Sequence, residues 1–155
     1  MPPISTGFKQ LHLFLDDSFD FIIESVGVFE NRAIVHKACD IMINKITSFK
    51  QGCDQNKVKV TKSESTMENS YDIILENEDY TLGKVIEYIL FTNFFGTGKP
   101  LSFCGFKKNH PHDNYSIIRV AFNENEPSQN EVALQYCIQV CNAAEEVFKT
   151  VKSLV

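Results

Sequence analysis

From Glu131 to Val155 the apolar residues Cys137, Val140, Cys141, Ala144, Val147, Phe148, Val151 and Leu154 advance in steps of three and four, the spacing that lines one face of a helix. This is the longest regular pattern in the chain. A helix of that length has more apolar face than a small sheet can cover, so the pattern requires a partner helix. Pro127 and Ser128 give it a start, Ser128 as the cap.

A second pattern also reads as a helix. ENRAIVHKACDIMINKITSFKQG, residues 30–52, places Ile34, Ala38, Ile41, Met42, Ile46 and Phe49 at helical spacing, with Gly52 as the expected C-cap. Before it, FDFIIESVG (19–27) alternates, is rich in Phe and Ile and ends in glycine, which predicts a strand and turn. After it, residues 53–69 are polar and read as a linker, with the short VKV inside it pairing at most as an edge strand.

YDIILE (71–76) is then a strand, and ENEDYTLGKVIEYIL (76–90) leads into a helix with the apolar face Leu82, Val85, Ile86, Ile89 and Leu90. Asp79 or Thr81 is its N-cap, and the acids Glu76, Glu78 and Asp79 stand where the helix dipole favours negative charge. Gly83 in the first turn costs about 1 kcal/mol against alanine, which predicts a close approach there. The loop NFFGTGKP joins this helix to the strand LSFCGFKKN, a turn at HPHD and the strand YSIIRVAF, a hairpin-like pair. The order of elements predicts an α+β fold, a small antiparallel or mixed sheet packed on one side by helices, preceded by a strand–helix unit.

Composition narrows the function. Of the 155 residues 43% are apolar and 23% charged, ordinary for one soluble globular core. No run approaches the roughly 18 apolar residues of a membrane span, and MPPISTGFKQ lacks the basic-then-apolar order of a signal peptide. The net charge of -5 argues against a free-standing nucleic-acid binder. Five cysteines without regular spacing fit reduced thiols in the cytoplasm or nucleus.

The chemical motifs fail one by one. GTGKP has Asn93 where a phosphate loop needs its first glycine and Pro100 where it needs Ser or Thr. His110, His112 and Cys104 fall short of the four ligands of structural zinc, and the proline turn explains the histidine spacing. Cys137 and Cys141 lie on the apolar seam and read as small hydrophobes, and no nucleophile stands in a recognisable strand–turn–helix context. No catalytic residue, cofactor or metal site is expected.

NEDYTLGKVIEYIL followed by LSFCGFKKNHPHDNYSIIRV resembles the signature of the small eleventh-subunit family of multisubunit RNA polymerases, equivalent to the archaeal L subunit. The resemblance covers roughly residues 66–155. It rests on Glu78, Asp79, Thr81, Leu82, Gly83, Phe103, Gly105, His110, Pro111 and Arg119, separated motifs in the family's order. The chain departs from the pattern at Phe106, where the family has tyrosine, at Lys84, where it has asparagine, and in its longer FFGTGKP loop. FDFIIESVGVFENRAIVHKACDIMINKI, from residue 19 to about 50, is similar to the end of the third-subunit or archaeal D family. Two such parts in one chain are expected of a large cytoplasmic DNA virus, which would put the protein in the host cytoplasm and the virion.

The resemblance implies a C-terminal fragment with residues 1–52 from a third-subunit-like domain, a linker at 53–69 and an eleventh-subunit-like domain at 70–155, in the alpha-like dimerisation fold. It implies no chemistry of its own. The expected role is an apolar interface on which the large catalytic subunits assemble, without direct nucleic-acid contact. Its residues would be Leu82, Gly83, Val85, Ile86, Ile89 and Leu90, with Cys137, Val140, Cys141, Ala144, Phe148 and Val151. Ile34, Ala38, Met42 and Ile46 would face them from the third-subunit part, and Gly83 would sit where helices and loops converge in close backbone approach. The missing upstream half leaves apolar surface that self-association would satisfy. A homodimeric adaptor and a small thiol or metal enzyme are the competing readings.

Overall fold

Seven elements follow one another in a computed structural model that describes residues 19–123 and 130–155. The first, α1 (Asn31–Asp54), runs two residues past the expected stop. Gly52 does not cap it; Asn56 takes the left-handed conformation (φ 52°). The Lys57 N–H reaches back to the Gly52 carbonyl and the Asn56 N–H to that of Cys53, so the carbonyls left open at the helix end are satisfied in a Schellman turn.

Part of the segment expected as a linker is built into the sheet. Strand β1 (Val60–Lys62) pairs antiparallel with β2 (Ser70–Glu76), two residues downstream of the expected VKV. The reason lies in Val58 and Val60, which pack on the buried core and pin the edge strand there. Asn69 (φ 51°) turns the chain into β2.

Helix α2 (Tyr80–Phe94) starts at Asp79, whose carboxylate accepts the Thr81 N–H. That bond holds the Asp79 carboxyl below its usual range. Loop 95–100 then delivers the chain to β3 (Leu101–Lys107), which pairs antiparallel with β4 (Tyr115–Phe122). The sheet order is β1-β2-β4-β3, antiparallel throughout. Helix α3 (Asn130–Leu154) closes the fold; the expected cap at Pro127 and Ser128 lies outside the described residues.

One face of the sheet, with Ile73, Leu75, Ile118, Val120 and Phe122, carries α2 and α3. The long helix finds its partner in α1, which packs on it antiparallel. Thr47 and Lys50 meet Glu145, and nearer the start of α1 Asp40 meets Lys152 at 2.6 Å. Ile46 and Cys53 of α1 join the same buried cluster as Leu82 and Cys137.

Residues 19–27 form no strand, against expectation. A strand exists only where a neighbour accepts its backbone hydrogen bonds, and among the described residues no strand lies alongside.

Candidate assembly interface

Much of the expected seam is used inside the chain. Leu82, Gly83, Ile86 and Leu90 of α2 and Cys137, Val140, Cys141 and Ala144 of α3 are buried, as is Ile46 of α1. Met42 and Phe148 are half-buried against that core, whereas Ile34, Ala38 and Val151 are exposed. The α1–α3 seam is therefore an internal helix contact, and a partner must use what lies outside it.

Gly83 answers to a side chain. A β-carbon built on it would fall inside the Phe106 ring, 2.9 Å from Cζ and nearer still to Cδ2 and Cε2. The expected helix and loop backbones are not what approaches; an aromatic ring from β3 does, because Gly83 leaves the space a side chain would fill. Phe106 is fixed further by the Tyr80 ring edge-on at 5.2 Å and by its N–H, which donates to Glu87 Oε1 at 2.9 Å. The Lys84 ammonium stands 5.8 Å from the ring centre. Glu78 accepts Lys45 from α1 at 2.7 Å, tying that helix to the start of α2.

Arg119 lies on the other face of the sheet, where its Nε and Nη2 donate to the two Asp72 carboxylate oxygens at 2.6 and 2.8 Å. This pairing raises the guanidinium's pKa. The pair lines an open hollow of about 850 Å³ with Lys59, Ile74, Lys107 and Ile117. Phe103 and Gly105 are neighbours on β3, the Phe103 ring closing over Gly105, and His110 and Pro111 form an exposed turn in which Asp113 accepts the His110 N–H.

Between α2 and α3, on the side turned from the sheet, lies an apolar groove of about 310 Å³. Val85, Tyr88, Ile89, Val147 and Phe148 line it with the stem of Lys84. Tyr88 is 69% exposed, Val147 53% and Phe91, one turn on, 49%. The nearby charges are already paired within their own helices, Lys84 with Glu87 and Lys149 with Glu146, so the groove has an apolar floor and a neutralised rim, the make-up of a protein-docking surface. Tyr88, Phe91 and Val147 were not among the expected interface residues. The helical stripe 82, 85, 86, 89, 90 predicts which side is buried, and an aromatic beside the stripe carries no further signal in one sequence.

The hollow beside loop 95–100, about 990 Å³, holds Lys99, whose ammonium caps α2 by donating to the Thr92 carbonyl. Burial pushes the Cys104 and Cys141 thiols up to about 12, and Cys137, hydrogen-bonded to Cys53 and fully buried, is held well above the ordinary range. No group of three or more His, Cys, Asp or Glu among the described residues could hold a metal ion, and no described helix is long and apolar enough to cross a membrane. No family model matches the chain, and no curated protein matches it.

Proposed function

We propose that the chain is a non-catalytic part of a multisubunit DNA-dependent RNA polymerase, an alpha-like platform on which the large catalytic subunits assemble. The observation that carries this reading is the apolar groove between α2 and α3, left open on a helix layer whose sheet side is already covered. A stable protein interface buries on the order of 1,600 Å² with an apolar centre, and Val85, Tyr88, Ile89, Phe91 and Val147 supply such a centre.

A second observation supports the family resemblance. Gly83, which matches the family pattern, and Phe106, which departs from it in the position after the Phe-x-Gly motif, touch each other. The substitution of phenylalanine for the family's tyrosine keeps the ring that needs the glycine.

In this reading the groove is the surface on which a large catalytic subunit docks. The site of action would be the host cytoplasm and virion of a large DNA virus. The test is recovery of the tagged chain from cells holding its native neighbours, followed by mass spectrometry. Co-purifying large polymerase subunits would support the assembly role. A sample containing only this chain would contradict it and favour the homodimeric adaptor.

A further inference from the structure

Strands β2 and β4 carry isoleucine on both faces of the sheet. Where one face of an antiparallel sheet meets water, apolar and polar residues alternate, and consecutive apolar residues mark a strand covered on both sides. Ile73 and Ile118 lie opposite each other towards α2 and α3 and are fully buried. The next pair, Ile74 and Ile117, lies on the far face, at the floor of the open hollow of about 850 Å³. Tyr115 ends the same face and is 38% exposed.

The rung through Ile74 and Ile117 ends in a lysine at each edge of the sheet. Lys107 of β3 pairs with Ile117, and the Lys59 carbonyl accepts the Ile74 N–H. Both lysines are exposed, and with Lys62 they have no ion-pair partner among the described residues. Lys84 and Lys149, beside the α2–α3 groove, are by contrast paired. One rung on, Arg119 and Asp72 neutralise each other. Glu64 and Glu76 line the hollow at opposite ends of its length, beyond β1 and at the end of β2. The middle of the hollow is therefore an apolar floor between two positive sides.

We propose that the far face of the sheet, across Ile74 and Ile117, seats an acidic amphipathic helix of a partner protein. Its apolar ridge lies on Ile74, Ile117 and Tyr115, and carboxylates on its two flanks meet Lys59 and Lys107. The width selects a helix. The two lysines stand three inter-strand spacings apart, about 14 Å, and a helix of about 10 Å diameter reaches both sides, whereas a single extended strand does not. A nucleic-acid strand fits less well: it would meet the Asp72, Glu64 and Glu76 carboxylates, and its bases would find isoleucine at the centre where single-strand binders place aromatic rings. The inference goes beyond the assembly reading, since the α2–α3 groove lies on the other side of the sheet and is a separate surface.

The test is carbodiimide cross-linking of the complex recovered through the tagged full chain after nuclease treatment, with the joined peptides read by mass spectrometry. The proposal predicts cross-links from Lys59 and from Lys107 to Asp or Glu residues on the two flanks of one helical segment of the partner. Recovery of that partner should fall about tenfold or more with Lys59→Glu/Lys107→Glu and persist with Lys59→Arg/Lys107→Arg, as reversal and retention of paired interface charges require. Both positions are exposed, and circular dichroism checks that each variant keeps the fold. The absence of a cross-link from either lysine, with equal acetylation of Lys59, Lys62 and Lys107 in the free chain and in the complex, overturns the proposal and leaves the face to solvent. Cross-links between two copies of this chain overturn it as well, as does loss of the partner on nuclease treatment. The polymerase reading stands or falls separately: the cross-linked helix can belong to another protein, and large subunits can be recovered while both lysines stay unlinked.

Discussion

At Gly83 a single hydrogen in place of a methyl decides whether β3 can lie against α2. Gly83→Ala must displace the Phe106 ring, and overpacking of this kind costs about 1–3 kcal/mol. Denaturant unfolding should show that loss, and Phe106→Ala should cancel much of the added cost in the double variant, since the two positions touch. Additive costs would mean that the ring is not what excludes the side chain. The glycine's unusual place was legible in the sequence; its cause was not, because the contact joins positions 23 residues apart on different elements. The thiols make a second residue-scale case. With Cys104 and Cys141 raised to about 12, the thiolate is on the order of one part in ten thousand at pH 8. Iodoacetamide should therefore label them in the folded chain far more slowly than in urea. Fast labelling of either at pH 8 would revive the thiol-enzyme reading.

Among the elements, α2 shows where pattern and environment agree. Its stripe and its cap follow from period and chemistry alone, and Asp79→Ala should cost about 1 kcal/mol by removing the acceptor for Thr81. Because the folded Asp79 pKa is depressed, its contribution is present above the ordinary carboxylate range and is lost as pH falls through the folded value. The wild-type acid transition should flatten in Asp79→Ala, and an unchanged transition would remove the cap from the account. The edge strand was harder to place, since VKVTK fits several registers and only the packing of Val58 and Val60 selects one. The strand over 19–27 was misread for a related reason: alternation reports a preference, and pairing requires a neighbour, which no described strand supplies. Phe148→Asp strikes both kinds of seam at once. Phe148 rests half-buried on the core and also lines the groove, so a charge there should weaken both folding and partner binding.

For the whole molecule, the antiparallel α1–α3 pair joins residues 31–54 to the sheet and its two helices inside one core. The sequence made the need for a helix partner plain, because the length of the α3 pattern exceeds what a small sheet covers. The resemblance put that partner in residues 30–52, against Cys137, Val140, Cys141 and Ala144; it did not reveal that Ile34 and Ala38 stay exposed, nor that Tyr88, Phe91 and Val147 are what remains outside. Val147→Asp is the direct probe of that remaining face, since the residue is exposed and the charge should leave the fold intact. The decisive measurement is quantitative mass spectrometry of proteins recovered with tagged wild type and with tagged Val147→Asp, each first shown by circular dichroism to be folded. The account predicts large polymerase subunits with the wild type and their loss, by about tenfold or more, with the variant, as a charge buried at an interface centre requires. Polymerase subunits recovered equally with both would contradict the groove as the interface, and their absence from both would contradict the assembly function itself.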